Sequence, residues 1–381
     1  MDVAILGAGP AGLYAAILIK RARPDAAVRV FEQNPADATW GFGVVFSDQA
    51  FAFLRQDDPD TADLIEPAME SWSDIVIQHK GERIVIDGVG FSAIGRLKLL
   101  TLLQRRAAEL GVVPKFQTRI ERVSEVGDAD LVVAADGLNS VVRAEAPAAF
   151  GERLSELDNR FVWYGATKPF DALTQTFKQT PYGPFNAHHY RYASDRSTFI
   201  VECAAETFAR AGFETMDEPD YRAICAEIFA DELGGAELIA NRSVWRRFPV
   251  LSCARWHDGN RVLVGDALHT AHFSIGSGTR LALEDVIALV RALTENGFDV
   301  ARALPAYQAA RQPVLEKLVR AAGASSAWYE QFGEHMAMDP WPFALSYARR
   351  AERIDAGRMR ELAPAFAQNL ANRGFSLEAV P

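Results

Sequence analysis

Three glycines near the start of the chain, followed by an acidic residue, have the types and spacing that bind a dinucleotide. The segment Gly7-Ala-Gly9-Pro-Ala-Gly12 follows a short apolar run that ends at Leu6 and precedes a helical run. Gly7 would allow a tight turn, Gly9 a close approach of backbone to a pyrophosphate, and Gly12 close packing of helix on strand. The start of that helix would favour the phosphates. Glu32, twenty residues after Gly12, can accept the ribose hydroxyls of an adenosine.

Two later aspartates follow apolar runs typical of buried strands. Asp136 comes after residues 131–135, and Asp266 comes after residues 261–265. Doubly wound sheets bind ligands outside the carboxyl ends of their parallel strands, so both aspartates are candidates for the same site. Asp136 can also cap a helix that starts at about Ser140, and the two roles can hold at once.

A glycine-rich stretch from Gly276 to Arg280 precedes a helix predicted to run through Leu293. Glycine backbone at the start of a helix can lie close to an anionic or carbonyl-rich ligand. Arg96 opens another predicted helix, which reaches about Leu110. From spacing alone, Arg96 is an ordinary first-turn residue rather than a cation that binds phosphate.

Histidines and a tyrosine near these motifs are candidates for proton exchange, or for hydrogen bonding to a phenol. His269 and His272 rank first because they lie beside the Asp266 motif, and Tyr190, His188 and His189 follow. A histidine in such a region is more often structural than catalytic, so both interpretations stay open. No metal site is expected, because no carboxylate or cysteine completes a ligand spacing.

Two strand-rich segments are predicted to form a second sheet. A hairpin is expected over residues 73–86, and alternating aromatic residues over 160–203 predict antiparallel strands. A helical period covers residues 206–233. The aromatic loop 34–47 is expected near a ligand, although a plain surface turn is the alternative.

The chain after residue 300 is predicted to be mostly helical. Prolines are expected to break the helices there, at Pro305, Pro340, Pro342 and Pro364.

Composition argues against several classes of protein. The 381-residue chain has a formal net charge of −10, which disfavours broad nucleic-acid binding. Its three cysteines are far apart and indicate reduced thiols in the cytoplasm rather than disulfides. No apolar run is long enough to span a bilayer, and the N-terminus does not read as a signal peptide. We therefore expect a cytoplasmic protein without nucleic-acid or membrane partners.

The three motifs, in this order, resemble those of the FAD-dependent aromatic hydroxylases of the p-hydroxybenzoate hydroxylase fold. The stretches 41–46, 197–203 and 269–278 look like those of the hydroxylase of salicylyl-CoA and 2-aminobenzoyl-CoA. They are also similar to those of a hydroxylase of violacein biosynthesis whose substrate is derived from tryptophan. The resemblance implies an α/β fold, with a Rossmann-like FAD-binding domain, an inserted antiparallel-sheet substrate domain and C-terminal helices. The implied FAD-binding domain comprises residues 1–72, 92–158 and 254–300, the substrate domain 73–91 and 159–253, and the helical region 301–381.

The resemblance also assigns roles to residues, and for Arg96 it reverses the interpretation from spacing. Phe273 stands where the wider family usually has a proline, and Arg280 where it has an asparagine. The residues implied to bind FAD are Gly7, Gly9, Ala11, Gly12, Glu32, Gln33, Arg96, Asp136, Gly137, Asp266, Gly276, Ser277, Gly278, Thr279 and Arg280. Those expected near the substrate are Phe46, His188, His189 and Phe273, and the candidate catalytic residues remain His269, His272 and Tyr190.

The implied activity is hydroxylation of an electron-rich aromatic acyl-CoA with NADH or NADPH and O2, through a flavin hydroperoxide. A CoA ester would need cations for its phosphates, and Arg242, Arg246 and Arg247, or Arg349, Arg350 and Arg353, could supply them. Solvated helix faces are an equally good explanation of both clusters. The ring-reducing activity of bifunctional relatives, which have a second domain, is not expected. An indole or tryptophan-derived substrate, or a non-hydroxylating FAD reductase, is the alternative; an NAD-dependent dehydrogenase is disfavoured.

Overall fold

The structure, a computed structural model, describes residues 1–378, and for residues 47–51 it describes the backbone alone. In chain order, the strands are β1 Asp2–Leu6, β2 Ala27–Phe31, β3 Gly43–Ser47, β4 Glu70–Trp72, β5 Ile75–His79, β6 Glu82–Ile86, β7 Phe91–Gly95, β8 Leu131–Ala134, β9 Glu152–Glu156, β10 Arg160–Ala166, β11 Leu173–Thr180, β12 Gly183–Ala193, β13 Arg196–Cys203, β14 Leu238–Ile239, β15 Pro249–Cys253, β16 His257–Asp258 and β17 Arg261–Leu263. The α-helices are α1 Pro10–Ala22, α2 Asp48–Asp57, α3 Pro59–Ile65, α4 Arg96–Glu109, α5 Val141–Glu145, α6 Pro147–Phe150, α7 Ala205–Arg210, α8 Glu218–Ile228, α9 Ala230–Leu233, α10 Gly278–Glu295, α11 Val300–Glu330, α12 Phe332–His335, α13 Pro340–Arg349, α14 Ala356–Leu362 and α15 Pro364–Asn372.

A parallel sheet brings the three predicted motifs to one edge. Its strand order is β16-β17-β8-β1-β2, with β17, β8, β1 and β2 parallel. β8 is buried along its whole length and β1 at four of its five residues, which is why both read as continuous apolar runs. The glycine turn follows β1, Asp136 follows β8, and Asp266 follows β17. The predicted parallel sheet and the meeting of its turns are therefore confirmed.

A seven-stranded sheet, in the order β14-β10-β13-β12-β11-β5-β6, forms the second layer. The predicted hairpin is confirmed as β5 and β6, and β5 joins the later strands through a parallel pairing with β11. One face packs an apolar core beneath α7–α9, including Tyr164, Phe199 and Phe229. Because side chains alternate along a strand, the residues adjacent to these in sequence face the opposite side of the sheet, away from this core.

The division of the chain into FAD-binding, substrate and helical domains stays our proposal.

The C-terminal part is helical as predicted, but the breaks expected at Pro305 and Pro342 are wrong, since Pro342 is the third residue of α13. Pro305 lies inside α11, a helix of 31 residues that also contains Pro313. Each proline removes only one backbone hydrogen bond, and burial of Leu304 and Tyr307 holds this part of the helix in place. Pro340 and Pro364 do begin helices, in the first turn where proline is tolerated. Residues 379–381 lie outside the described part of the chain.

The aromatic loop predicted over residues 34–47 is shorter than expected. Residues 43–47 form β3, which pairs antiparallel with β7, so the loop ends at Phe42. Among the described helices, none has the length and hydropathy to span a bilayer.

The first glycine turn is packed too closely for side chains at two positions. Gly7 has a φ of 93°, in the left-handed region that favours glycine. A Cβ atom on Gly12 would lie 1.9 Å from the carbonyl oxygen of Gly7, whereas one on Gly9 would meet nothing within 4 Å. Gly12 therefore sets the contact between α1 and β1, as its spacing predicts.

We expect Gly12→Ala to destabilise the protein, because the added methyl group overlaps backbone that cannot move freely. Overpacking and backbone displacement should cost about 2–4 kcal/mol, lowering the thermal midpoint of the cofactor-free protein by about 5 °C or more. Gly9→Ala is the matched control and should shift the midpoint by less than about 2 °C. Equal midpoints for the two variants would contradict this account of the turn.

Candidate active site

A cavity of about 750 Å³ runs from the edge of the parallel sheet to the inner face of the seven-stranded sheet. It brings together residues that are more than two hundred positions apart in the chain. The predicted residues that line it are Gly7, Gly9, Ala11, Glu32, Gln33, Arg96, Asp136, Gly137, His188, Tyr190, Asp266, Phe273, Gly276, Ser277, Gly278 and Thr279. The structure does not bring Gly12, Phe46, His189, His269, His272 or the side chain of Arg280 into this lining.

Glu32 stands at the end of β2 with its carboxylate over the glycine turn. One oxygen accepts a hydrogen bond from the backbone N–H of Ala8 at 2.9 Å. The other accepts from the backbone N–H and the side-chain amide of Asn34, both at 2.8 Å. Glu32 thus braces the turn itself, a role that the spacing argument missed.

Arg96 presents an unpaired guanidinium to the cavity. Its backbone N–H donates to the carbonyl of Phe42 at 2.7 Å, which fixes the start of α4 against the aromatic loop. Its guanidinium forms no ion pair or hydrogen bond with the described residues. Burial lowers the pKa of Arg96, an effect opposed by the nearby charge of Asp266. The side chain still carries its charge at neutral pH, so it favours an anionic group in the cavity.

Asp136 caps a helix, and its remaining carboxylate oxygen is compatible with the ligand-binding role that its sequence context also allows. One carboxylate oxygen accepts from the backbone N–H of Val141 at 2.7 Å, at the start of α5. The other is buried and has no hydrogen-bond partner among the described residues. Burial raises the pKa of Asp136, while hydrogen bonds from Ser140 and Val141 act in the opposite direction. Gly137 beside it has a φ of 78° and open space above its Cα atom.

Asp266 lies opposite, at the end of β17. Its carboxylate makes no hydrogen bond to the described residues, so its bonding capacity faces the cavity. Burial raises the pKa of Asp266, and the neighbouring His269 and Arg96 oppose that rise.

The stretch from Gly276 to Arg280 contributes backbone rather than side chains. Gly276 has a φ of 59°, and a Cβ atom there would lie 2.8 Å from a methyl group of Val45. α10 begins at Gly278, so its first N–H groups have no partner within the helix and open onto the cavity. Arg280 turns away, donating to Glu284 at 2.7 Å.

His269 lies behind the cavity wall in a buried network. Its Nε2 atom is 2.8 Å from a carboxylate oxygen of Asp285. That carboxylate also accepts from the backbone N–H of Gly265 at 3.1 Å and from Arg311 at 2.9 Å. Burial alone would raise the pKa of Asp285, but its contacts with His269 and Arg311 lower it. The geometry favours a structural role for His269, the alternative that its sequence context left open.

His272 and His189 are also packed away from the cavity. The ring of His272 contacts Phe248 and Phe273, and burial lowers its pKa to about 3. His189 projects from the other face of the sheet, where its Nε2 atom lies 3.1 Å from the hydroxyl of Thr176 and its ring stacks on Phe199. Phe46 is buried in the core around the parallel sheet.

Tyr190 lines the cavity, but its hydroxyl has a structural partner. It donates to the carbonyl of Gly43 at 3.1 Å, while the N–H of Gly43 donates to Thr198 at 2.9 Å. Burial raises the pKa of Tyr190, so it stays a neutral donor. Both peptide groups at the start of β3 are thereby held against the sheet.

His188 is the one predicted histidine in the cavity. It is 3% exposed, and neither ring nitrogen has a hydrogen-bond partner among the described residues. Burial, and then the positive charge of Arg350, lower its pKa to about 3. His188 is therefore a neutral imidazole with free donor and acceptor positions at physiological pH.

We call the part of the cavity at the seven-stranded sheet, where His188 lies, the substrate end. The rest of its lining is largely apolar, and the sequence indicated it only as a region. It consists of Trp163, Ile200, Phe248, Pro249, Thr270 and Ala271, together with Phe273. The alternation in β10 was the available signal, since Phe161 and Trp163 share one face of that strand. Phe248 and Thr270 carry no local signal.

Comparison with known proteins gives a consistent result. A family model described as FAD binding domain matches residues 74–322. The chain is 40% identical to a salicyloyl-CoA 5-hydroxylase from Streptomyces sp over 92% of its length and 70% of that protein. It is 39% identical to a 3-hydroxy-4-methyl-anthranilyl-[aryl-carrier protein] 5-monooxygenase from Streptosporangium sibiricum, over 86% of this chain and 89% of the relative.

A third relative and a solved structure match nearly the whole chain. The chain is 33% identical to a protodeoxyviolaceinate monooxygenase from Chromobacterium violaceum, over 97% of this chain and 98% of the relative. The tetrameric form of 2-methyl-3-hydroxypyridine-5-carboxylic acid oxygenase superposes with a TM-score of 0.72 at 19% identity, covering 92% of this chain and 97% of that one. At that identity, the superposition bears on the fold alone.

The residues of the cavity fit the FAD that these matches indicate. Side chains at Gly9 or Gly137 would project into open space, which leaves both backbones free to meet a ligand. The unpaired guanidinium of Arg96 suits a pyrophosphate, and the open start of α10 suits carbonyl groups. We expect Glu32 and the glycine turn at the adenosine, and Asp136 and Asp266 on its other polar groups.

We predict that Asp266→Ala weakens FAD binding about tenfold while leaving the fold intact, because a carboxylate with no other partner is lost. The measurement is the FAD content after purification, together with the dissociation constant from fluorescence titration. Asp258→Ala, in an exposed position of the same sheet, is the control. Equal FAD affinity in the Asp266 variant and the wild type would refute the assigned role.

Proposed function

The chain belongs to the family of FAD-dependent aromatic monooxygenases, and from that premise we propose that its substrate is an aromatic acid held as a CoA thioester. Salicylyl-CoA is the representative substrate that we propose for this class. The names of the two relatives near 40% identity specify ring position 5 of a salicyloyl or an anthranilyl group. In both groups that position is para to an ortho hydroxyl or amino substituent. NADH or NADPH and O2 are the proposed co-substrates, and the cytoplasm the proposed location.

His188 is the observation that carries the proposal. It is a buried polar group with free hydrogen-bonding positions. Its cross-strand neighbours are Ile200 and Gln175, its ring lies 5.4 Å from that of Tyr190, and the apolar Trp163 and Phe273 line the same cavity. A buried polar group without a partner is costly, so the cavity is built for a ligand that supplies one. An ortho hydroxyl or amino group on an otherwise apolar ring meets that requirement.

The neutral state of His188 decides what it does to the ring. As an acceptor, it would take a hydrogen bond from the ortho substituent and increase electron density at the para carbon. A protonated imidazole would do the reverse, but a pKa of about 3 excludes that form at neutral pH. When bound, FAD reduced by NADH or NADPH would activate O2 and supply one electrophilic oxygen atom for such an electron-rich carbon to attack, the other oxygen atom leaving as water.

The aromatic lining serves to keep water away from the reacting ring. Phe273 packs against Phe161 and Trp163, with ring centroids 5.0 and 6.1 Å apart. Phe248, which immediately precedes β15, packs against Phe273 and lines the same side of the cavity. Exclusion of water favours transfer of oxygen to the substrate over its loss as hydrogen peroxide.

Similarity to the protodeoxyviolaceinate monooxygenase supports a second candidate, an indole or tryptophan-derived substrate. The two candidates are separated by a panel of substrates. We expect salicylyl-CoA, but neither free salicylate nor tryptophan, to stimulate NADH or NADPH oxidation and to give a hydroxylated product by mass spectrometry. Stimulation by tryptophan-derived compounds alone would select the second candidate, and stimulation without product would favour a non-hydroxylating flavoprotein.

We predict that His188→Phe lowers kcat/KM for salicylyl-CoA at least tenfold, because the ortho substituent loses its partner. The hydrogen peroxide formed per NADH or NADPH consumed should rise at the same time. His189→Phe is a matched control, since this neighbour projects from the opposite face of the same strand. Unchanged kcat/KM and peroxide yield in the His188 variant would contradict its role.

A further inference from the structure

An outward-facing stripe of three residues, Arg242, Val244 and Arg246, continues the wall of the substrate end of the cavity. All three are exposed, whereas Ser243 is buried and Trp245 packs against the apolar core under α7–α9. This alternation is that of an extended chain with two distinct faces. We call these three residues the arginine stripe.

The pairing of backbone segments places the arginine stripe on the cavity side of the sheet. Arg246 forms an isolated antiparallel bridge with Phe161 of β10, so their side chains share a face. The ring of Phe161 lies 5.0 Å from that of Phe273, which lines the cavity. Trp163 is on the same face of β10 and lines the cavity as well. The arginine stripe therefore lies where this side of the cavity reaches the edge of the seven-stranded sheet.

Arg242 is held in a strained conformation at this edge. Its φ is 52°, in the left-handed region that residues other than glycine seldom adopt. The segment is anchored on both sides of it. The amide of Asn241 donates to the carbonyls of Thr39 and Gly41, each at 3.1 Å, and the hydroxyl of Ser243 donates to the carbonyl of Trp163 at 2.5 Å.

This conformation sets the guanidinium of Arg242 at the cavity mouth. It lies 3.8 Å from the centre of the Trp40 ring, and Trp40 lines the cavity. Stacking on an indole orients the guanidinium and leaves its N–H groups available to an anion.

Ion pairing separates the two arginines of the stripe from Arg247, and their position at the cavity mouth separates them from Arg349 and Arg353, which do not line the cavity. Arg247 pairs with Glu156 and Asp158, Arg350 donates to the carbonyl of Ser274, and Arg349 donates to that of Leu377. Arg242 and Arg246 have no carboxylate within ion-pair distance in the described part of the chain. Two uncompensated cations at a cavity mouth are notable in a protein of net charge −10.

We propose that the arginine stripe binds the phosphate groups of the CoA part of the substrate, with Val244 against the apolar part of its arm. The inference rests on the proposed function, which puts the aromatic ring at His188 and so directs the thioester arm outward. Paired guanidinium groups are suited to phosphate recognition. Phosphates of NADH or NADPH have the same chemistry, and the test separates the two sources.

The test compares two thioesters in FAD-loaded protein: salicylyl-CoA and the phosphate-free salicylyl-N-acetylcysteamine. The variants are Arg242→Asn, which tolerates the left-handed conformation, Arg246→Gln, and the double variant. Arg302→Gln, an exposed arginine at the start of α11, controls for the change in net charge. Each single variant should raise KM, and the calorimetric Kd, for salicylyl-CoA about five- to tenfold, and more strongly at low salt. KM for the phosphate-free thioester and for NADH or NADPH should change less than twofold, and FAD content should stay constant.

Three results would overturn the inference: equal KM for salicylyl-CoA in the variants and the control, an equal rise for both thioesters, or a rise for NADH or NADPH alone. Failure of the wild type to turn over either thioester would contradict the proposed function instead. In that case, calorimetric titration with CoA itself still decides: binding by the wild type that is lost in the double variant supports the stripe, and any other result refutes it.

Discussion

The buried carboxylate of Asp285 ties together the parts of the chain that surround the cavity. It is fully buried and receives hydrogen bonds from the turn at Gly265, from His269 and from Arg311. Removing one partner of such a group typically costs about 3–5 kcal/mol, because the remaining charge is left unpaired in the interior. Through these contacts, one residue of α10 positions the Asp266 turn and fastens α11 to the parallel sheet. This arrangement therefore fixes the turn that carries Asp266, at the edge of the parallel sheet, and also α11, the helix that contains Tyr329.

The local patterns correctly predicted the strands and turns that meet at one edge of the parallel sheet. The spacing of Gly7, Gly9 and Gly12 encodes the packing of α1 on β1, which depends only on residues close in sequence. Asp136 and Asp266 follow apolar runs that become parallel strands, so their meeting at one sheet edge could be deduced. The hairpin β5–β6 was equally local. Its parallel pairing with β11, about one hundred residues away, could not be predicted, because no single segment of the sequence encodes it.

The side chains that face the substrate were harder to predict, for a physical reason. His269 and His272 lie beside the Asp266 turn in sequence, yet the direction of each ring depends on distant partners. Asp285 draws His269 behind the wall, and packing against Phe248 and Tyr329 removes His272. Arg96 shows the converse case: its spacing indicated an ordinary helix start, whereas the family resemblance, and then the absence of a carboxylate partner in the described structure, point to an anion. Pro305 was misjudged because tertiary burial of its helix outweighs the loss of one hydrogen bond.

In the proposed arrangement, an apolar, neutral chamber at His188 opens to a charged mouth at the arginine stripe, and the FAD edge borders the chamber from the side of the parallel sheet. There the chain would insert oxygen from O2 into an aromatic ring. The most direct measurement is the mass of the product when FAD-loaded protein, NADH or NADPH and salicylyl-CoA react under ¹⁸O₂ in ordinary water. We predict a hydroxylated acyl-CoA that carries one ¹⁸O atom on the ring. Consumption of the reduced nucleotide without a labelled product, or a product whose new oxygen comes from water, would contradict the claim.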